Sequence, residues 1–151
     1  MPKTIAIDFD GVIHAYSKGW QDGTVYDDNV KGVFTAIRQM FDAGYSVFIF
    51  STRSPKQIKK WLQPKIYISE YEDEGMGGDP NRWVKTRFGY TCKIIPFWKK
   101  FWNEKNLIGI TRRKLPAHVY VDDRALTFKG DWFVTFEEIN AFKTYQDVEK
   151  V

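Results

Sequence analysis

The feature that most constrains the fold is a pair of short apolar runs without polar–apolar alternation. Residues 5–7 read Ile-Ala-Ile, and residues 46–50 read Ser-Val-Phe-Ile-Phe. A strand with one face in water carries a polar side chain at every second position, so these runs indicate strands that are covered on both faces. Such strands are typical of parallel sheets flanked by helices. The sequence therefore predicts an α/β fold built on a parallel sheet.

Helical spacing of apolar residues predicts helices between the strands. One helix is expected over residues 30–41, with Asp27 and Asp28 available to cap its start. A short second helix is expected over residues 57–62 and is ended by Pro64, because proline breaks the helical hydrogen-bond pattern. The alternation of strand and helix supports the parallel sheet.

The second half of the chain predicts two more helices and three more strands. A helix is expected over residues 94–102, with an apolar face that belongs to the core and consists of Ile94, Phe97, Trp98, Phe101 and Trp102. Strands are expected at 107–110 and 118–121, and residues 132–134 are expected to form an edge strand. Thr135 and Glu138 form a capping box that predicts a last helix.

Length and composition favour one soluble domain. The chain has 151 residues, of which 43% are apolar, and its single cysteine cannot close an internal disulfide. It has no apolar run of about 18 residues and no signal-peptide pattern, so we expect a cytoplasmic protein without a membrane partner. Residues 64–93 are polar and glycine-containing, and they predict a small insertion or lid within a single domain spanning residues 1–151.

Positive charge is concentrated in the segment 81–114. This segment holds ten basic side chains and one acidic side chain, Glu104, whereas the whole chain has a net charge of +4. Such a segment suits a phosphate-rich partner such as a nucleic acid, and it equally suits a solvated surface. Trp83, Phe88 and Tyr90 are the aromatic side chains left free to stack on bases if the face of residues 94–102 is core.

The residues best suited to catalysis or ligand binding follow the predicted strands. Asp8 and Asp10 follow the first strand, Ser51-Thr52-Arg53 follows the second, and Asp122-Asp123 follows the strand at 118–121. Ligands of parallel sheets bind where the strands end, so these groups are expected to converge. Carboxylates in such a cluster can bind a hard cation or act as nucleophile and general acid/base, and a hydroxyl with a guanidinium can hold a phosphoryl group. Taken singly, each has a structural alternative such as capping a turn.

In this order, the segments IAIDFDGVIHAYSKGW (residues 5–20), IFSTRS (49–54) and KLPAHVYVDDRALTFKGDW (114–132) resemble the motifs of the haloacid dehalogenase superfamily of phosphohydrolases. The resemblance is closer still to a group of small hydrolase-like proteins found in phage and bacterial genomes. The resemblance implies a Rossmann-like, three-layer α/β/α domain with a minimal cap or none.

The resemblance also implies a role for each site residue. Asp8 would be the nucleophile that forms an aspartyl phosphate, Asp10 the general acid and base, and Ser51 and Lys114 the partners of the phosphoryl group. Mg²⁺ would be held by Asp8, the backbone carbonyl of Asp10, and Asp123. Asp122 would lie next to this set and orient a water or Lys114. Thr52, Arg53 and His14 are further candidates for substrate binding.

The function implied is a Mg²⁺-dependent phosphatase that acts on a phosphomonoester. A phosphorylated small molecule and a phosphorylated nucleic-acid end are both candidate substrates. The alternative is a phage accessory protein that keeps this fold, binds nucleic acid through residues 81–114 and has little turnover. Two other families with paired aspartates, receiver domains and topoisomerase–primase domains, place their acids in a different order along the chain.

Overall fold

The computed structural model describes residues 3–67, 69–72, 83–86 and 90–149, with side chains for residues 3–66 and 90–147. Its centre is a five-stranded sheet in which every pair of neighbours is parallel. The strands of this sheet are β1 (Thr4–Ile7), β2 (Ser46–Phe50), β5 (Thr91–Ile94), β6 (Leu107–Thr111) and β7 (Val119–Val121), in the spatial order β5-β6-β2-β1-β7. The predicted parallel α/β fold is confirmed.

The two central strands are covered on both faces, as their unbroken apolar runs predict. On one face, Ile7 of β1 and Ile49 of β2 share a core with buried residues of the first two helices, including Ile37 and Ile58. On the other face, Phe48 belongs to a smaller core that consists of Ala6, Phe48, Ile95, Trp102 and Leu115. Burial on both sides explains why neither strand carries an alternating polar residue.

Helices α1 (Val33–Asp42) and α2 (Pro55–Tyr67) differ from expectation at their ends. The residue before α1 is Gly32, and neither Asp27 nor Asp28 caps the helix. Pro64 lies inside α2 instead of ending it. Helix α2 continues because Leu62 and Ile66, on either side of the proline, are fully buried, and this burial offsets the hydrogen bond that proline removes.

The helix predicted over residues 94–102 is wrong. Ile94 ends strand β5, and the backbone N–H of Ile95 still donates to the carbonyl of Ile110 in β6. Pro96 and a turn then follow, so the apolar spacing no longer describes one face. Of the apolar side chains after β5, Ile95 and Trp102 are buried, whereas the other three are exposed: Phe97 85%, Trp98 65% and Phe101 47%.

The C-terminal segment contains two helices. Residues 132–134 open helix α3 (Trp132–Asn140) instead of forming an edge strand, and α4 (Tyr145–Glu149) follows. Asp131 is the cap, since its side chain accepts hydrogen bonds from the backbone N–H groups of Phe133 and Val134. The predicted capping box is therefore also wrong: Thr135 lies inside α3, where its hydroxyl donates to the carbonyl of Asp131.

Residues 64–93 contain more regular structure than the sequence predicts. Helix α2 extends to Tyr67, and β3 (Ser69–Glu72) pairs antiparallel with β4 (Trp83–Thr86) in a separate two-stranded sheet. Residues 68, 73–82 and 87–89 lie outside the described residues, so a lid at this place stays a prediction, as does a role for Phe88 and the side chain of Trp83. The prediction that Tyr90 is free to stack on bases is wrong, because its ring is buried in the core beside Phe41. In the described part of the chain, none of the helices has the length and apolarity needed to cross a membrane.

Candidate active site

The predicted site residues converge at the carboxyl edge of the parallel sheet. Ile7 of β1 lies in register with Ile49 of β2 and Val121 of β7, so the residues that follow these strands emerge side by side. They surround a cavity of about 450 Å³ lined by Asp8, Asp10, Tyr16, Trp20, Ser51, Thr52, Arg53, Ser54, Gln57, Arg112, Asp123 and Arg124. Parallel sheets place their ligand sites at this edge.

Three carboxylates form a cluster beside the cavity. Oxygen atoms of Asp8, Asp122 and Asp123 all lie within 4.8 Å of one another. Burial, together with the negative charges of Asp122, Asp123 and Asp10, raises the pKa of Asp8 to about 7. Burial also raises the pKa of Asp123. Like charges this close repel one another, so a bound cation is needed to stabilise the three carboxylates when all of them are ionised.

The environment of Asp123 suits a metal ion. Its Oδ1 atom is buried and has no hydrogen-bond partner, which is unusual for a carboxylate oxygen. Gly11, at a φ of 84°, lies so close that a Cβ there would be 2.3 Å from Oδ2 of Asp123. The set of donors is entirely carboxylate oxygen, which is the chemistry that hard divalent cations prefer. This cluster could therefore hold a divalent metal ion.

Asp10 has different partners from the other acids. His14 Nδ1 lies 2.8 Å from its Oδ1, while Nε and Nη2 of Arg53 donate to its two oxygens at 3.0 and 3.1 Å. Burial acts to raise the pKa of Asp10, but the hydrogen bonds from His14 and Arg53 outweigh it and lower the pKa. The Asp10 side chain is thus held as a carboxylate and is not a member of the three-carboxylate cluster.

The tautomer of His14 follows from its second contact. The backbone N–H of Asp27 donates to Nε2 of His14 over 2.9 Å, so Nε2 carries no proton. Nδ1 then carries the proton and donates it to Asp10. His14 is fully buried, so it positions Asp10 from behind, and the structure does not place it in the cavity as a substrate contact.

The Ser-Thr-Arg segment after β2 reaches the cavity with all three residues. The hydroxyl of Ser51 is buried and accepts a hydrogen bond from the backbone N–H of Arg53, whereas Thr52 is exposed. Arg53 is buried and also donates from Nη1 to the carbonyl of Gly23 over 2.7 Å. Both hydroxyls line the cavity, so either is available to a phosphoryl oxygen.

Lys114 lies apart from the other predicted residues. It lines a neighbouring groove together with Asp8, Asp122 and residues of β7, and its Nζ lies 5.0 Å from the centroid of the Tyr120 ring. Two other cations, Arg112 and Arg124, line the main cavity. No role was predicted for Arg124 from the sequence, although it directly follows the Asp122-Asp123 pair and therefore reaches the cavity.

The segment between β1 and α1 forms the mouth of the cavity. Arg53 and Gln57 both donate to the carbonyl of Gly23, at 2.7 and 2.6 Å, and so fasten this segment to the start of α2. The guanidinium of Arg53 lies 5.6 Å from the ring centroid of Trp20, which is 67% exposed. Residues 8–32 are all described and contain no helix, so no helical cap occupies this position.

Comparison of the chain with protein-family models, with curated proteins and with solved structures finds no match. The chemistry of the cavity therefore rests on its own geometry. It brings together two members of the carboxylate cluster (Asp8 and Asp123), a third carboxylate hydrogen-bonded to histidine and arginine, four hydroxyls and three guanidinium groups. Anionic groups that bind a cation, next to cations that bind an anion, are the requirements for phosphoryl transfer.

Proposed function

We propose that this protein is a Mg²⁺-dependent phosphatase of the haloacid dehalogenase type, with a three-layer Rossmann-like domain, and that it hydrolyses a phosphomonoester. One observation carries the proposal. The cluster of Asp8, Asp122 and Asp123, in which one buried oxygen of Asp123 has no partner, shares Asp8 and Asp123 with a cavity that also holds Ser51 and three arginines. This arrangement supplies a nucleophile, a cation site and an anion site together.

In the proposed reaction, a carboxylate oxygen of Asp8 attacks the phosphorus atom and the bond to the substrate's ester oxygen breaks. The product is an aspartyl phosphate on Asp8 and an alcohol. Mg²⁺ bound by Asp8, Asp123 and the carbonyl of Asp10 would offset the repulsion between the nucleophile and the phosphate. Arg53, Arg112 and Ser51 would hold the phosphoryl oxygens through hydrogen bonds.

Asp10 carries the proton in both halves of this reaction. Before substrate binds, Arg53 and His14 keep it ionised. A phosphoryl group in the cavity competes for Arg53, and loss of that contact raises the affinity of Asp10 for a proton. Protonated Asp10 then gives its proton to the leaving oxygen, and as a carboxylate it takes a proton from the water that hydrolyses the aspartyl phosphate.

Lys114 remains a proposed partner of Asp8 from the neighbouring groove, where both residues are found. The side chains that line the main cavity suggest that Arg112 and Arg124 carry part of the role that the resemblance gives to Lys114. Comparing Lys114→Ala with Arg112→Ala would show which cation contributes more to kcat/KM.

The test is hydrolysis of 4-nitrophenyl phosphate at increasing Mg²⁺ concentration by the wild type and by Asp8→Asn. Asp42→Asn is a matched control, because Asp42 is an exposed acid at the end of α1. We expect Mg²⁺-dependent phosphate release from the wild type and the control, and none above background from Asp8→Asn. Equal rates for the wild type and Asp8→Asn would overturn the proposal.

One observation supports the second candidate function, which is nucleic-acid binding with little turnover. The exposure of Phe97, Trp98 and Phe101 beside lysines gives a surface that nucleic acid can use, with or without turnover. The test is a panel of mononucleotides, sugar phosphates and phosphate-ended oligonucleotides. If the protein binds single-stranded nucleic acid but releases phosphate from none of these compounds, this candidate is favoured over the phosphatase.

A further inference from the structure

The loop after β5 exposes three large aromatic side chains to solvent. Phe97, Trp98 and Phe101 are exposed by 85%, 65% and 47%, whereas Ile95 and Trp102 at the two ends of the loop are buried. The loop over residues 95–102 is therefore attached to the core at both ends. Its middle carries three large apolar side chains that the described core does not use.

Several contacts fix the conformation of this loop. Nη2 of Arg113 donates to the carbonyl of Pro96 over 2.7 Å, and the indole N–H of Trp102 donates to the carbonyl of Leu107 over 3.2 Å. The hydroxyl of Thr4 donates to the carbonyl of Trp102 over 2.8 Å. Exposed rings on an anchored loop lose little conformational freedom when they bind a partner.

The loop begins at the same edge of the sheet as the acidic cavity and has crossed to the opposite edge at Trp102, whose carbonyl accepts a hydrogen bond from Thr4 at the start of β1. Strand β5 is parallel to β6 and β2, so residues that follow β5 emerge on the side where Ser51 follows β2. Two strand spacings separate β5 from β2, which is roughly 10 Å. Arg112 and Arg113 connect the two places, since Arg112 lines the cavity and Arg113 holds Pro96.

The chain around the loop is strongly basic. Residues 90–114 contain seven basic side chains and one acidic side chain, Glu104, which pairs with Lys99. Lys93 and Lys100 are exposed near the aromatic rings along the chain. Aromatic rings among cations are the features that bind single-stranded nucleic acid, because bases stack on the rings while cations neutralise phosphates.

We propose that residues 95–102 bind the bases of a single-stranded nucleic acid whose terminal phosphate enters the cavity at Asp8. The proposal rests on the phosphatase function proposed above and names its substrate as a phosphate-ended strand. The cavity arginines bind the terminal phosphate, and the three exposed rings stack on bases farther along the strand. A mononucleotide lacks those further bases and gains nothing from the loop.

The test compares three substrates: 4-nitrophenyl phosphate, thymidine monophosphate and an oligothymidylate of about eight nucleotides that carries a 5′ or a 3′ phosphate. The variant is Phe97→Ala with Trp98→Ala. The control is Phe133→Ala, an exposed aromatic residue in α3. We expect the ratio of kcat/KM for the oligonucleotide to kcat/KM for the aryl phosphate to fall by about 10-fold or more in the double variant and not in the control.

Binding is measured separately by fluorescence anisotropy with a fluorescein-labelled oligothymidylate that lacks a terminal phosphate. We expect salt-sensitive binding by the wild type and weaker binding by the double variant. If the aryl phosphate is hydrolysed but the double variant leaves the ratio unchanged, the strand proposal is overturned and the phosphatase proposal stands.

Three further outcomes also decide the matter. Equal kcat/KM for thymidine monophosphate and the oligonucleotide overturns the strand proposal. The strand proposal is also overturned if the wild type binds no oligonucleotide but self-associates, and if the double variant loses that self-association. Salt-sensitive strand binding without turnover of any of the three substrates supports the nucleic-acid surface and overturns the phosphatase proposal.

Discussion

At Asp8, burial and neighbouring negative charges destabilise the ionised carboxylate. Its pKa is raised to about 7, first by burial and then by Asp122 and the other acids near it. In the unfolded chain the pKa returns to its ordinary value near 4, so the folded protein binds the Asp8 proton more tightly than the unfolded protein does. This contribution to stability is full below pH 4 and is lost as the pH rises to about 7.

Asp8→Asn removes the charge that causes this loss. Without metal, we expect Asp8→Asn to raise the free energy of unfolding by about 1–2 kcal/mol at pH 8, a figure reduced for solvent screening at this part-exposed site. The gain should shrink as the pH falls from 7 toward 4, because wild-type Asp8 is then protonated. Urea unfolding in the presence of EDTA measures it, with Asp42→Asn as the control.

Saturating Mg²⁺ should reverse the order, because a ligand that binds the folded state stabilises it. The wild type should gain stability with Mg²⁺ and Asp8→Asn should gain much less. A wild type that Mg²⁺ does not stabilise at pH 8 would contradict the assignment of the acidic cluster as a metal site.

Gly11 offers a test of the position of Asp123. In Gly11→Ala the new Cβ would meet Oδ2 of Asp123 at 2.3 Å, and the residue would also have a φ of 84°. Gly32→Ala is a matched control, because Gly32 has the same φ but open space around it. Both variants should lose about 1 kcal/mol of stability from the positive φ. Only Gly11→Ala should also lose Mg²⁺ affinity, which isothermal titration measures; equal affinity in both would contradict the account.

The two adjacent acids after β7 should respond differently to loss of charge. Asp123 has the buried oxygen without a partner, whereas Asp122 is exposed and its Oδ1 accepts from the backbone N–H of Arg124. We expect Asp123→Asn to raise the Mg²⁺ concentration for half-maximal rate more than Asp122→Asn does. The effect of Asp122→Asn should stay within the 10–100-fold that is typical of groups behind a metal ligand. A greater loss of Mg²⁺ affinity in Asp122→Asn reverses the two assignments.

At the scale of elements, one contact joins the mouth of the cavity to helix α2. The carbonyl of Gly23 accepts hydrogen bonds from Arg53 and from Gln57, and Arg53 also holds Asp10. Gln57→Ala removes one bond to Gly23 and leaves Asp10 unchanged. Arg53→Ala removes a bond to Gly23 together with both bonds to Asp10.

We therefore expect a graded effect of these two substitutions on hydrolysis of 4-nitrophenyl phosphate. Arg53→Ala should lower kcat/KM by about 10–100-fold, since a hydrogen bond to a charged group contributes about 1.5–3 kcal/mol. Both variants should speed proteolysis within residues 16–26, because each loosens this segment. A similar kcat/KM for both variants would show that Arg53 acts only through Gly23.

Elements were predictable where local pattern and tertiary contacts agree. Strands β1 and β2 have unbroken apolar runs and are buried on both faces, so their sequence reflects their environment. Residues 94–102 have helical spacing, yet a strand ladder that reaches Ile95 and a proline at 96 prevent a helix. Thr135 resembles a cap, but Asp131 lies one turn earlier and caps α3 first. Pairing between distant strands is invisible to a pattern read along the chain.

At the scale of the whole molecule, parallel strands turn positions far apart in sequence into one site. Asp8, Ser51 and Asp123 were predictable as neighbours because each lies one or two residues after a strand of one sheet, and the edge where strands end is common to all. The hydrogen bonds that hold Asp10 were not, because His14 and Arg53 reach it through loops whose course depends on turns such as that at Gly23. The position of Lys114 in the neighbouring groove was not predictable either, because it also depends on the course of a loop.

In the proposed reaction, Asp8 forms a covalent bond to phosphorus. The most direct measurement mixes the protein with Mg²⁺ and 4-nitrophenyl phosphate, stops the reaction within milliseconds and treats it with borohydride, which reduces an aspartyl phosphate to homoserine. Peptide mass spectrometry should then find homoserine at position 8 in the wild type and not in Asp8→Asn. Steady phosphate release by the wild type with an unmodified Asp8 peptide, and the same release by Asp8→Asn, would contradict the account.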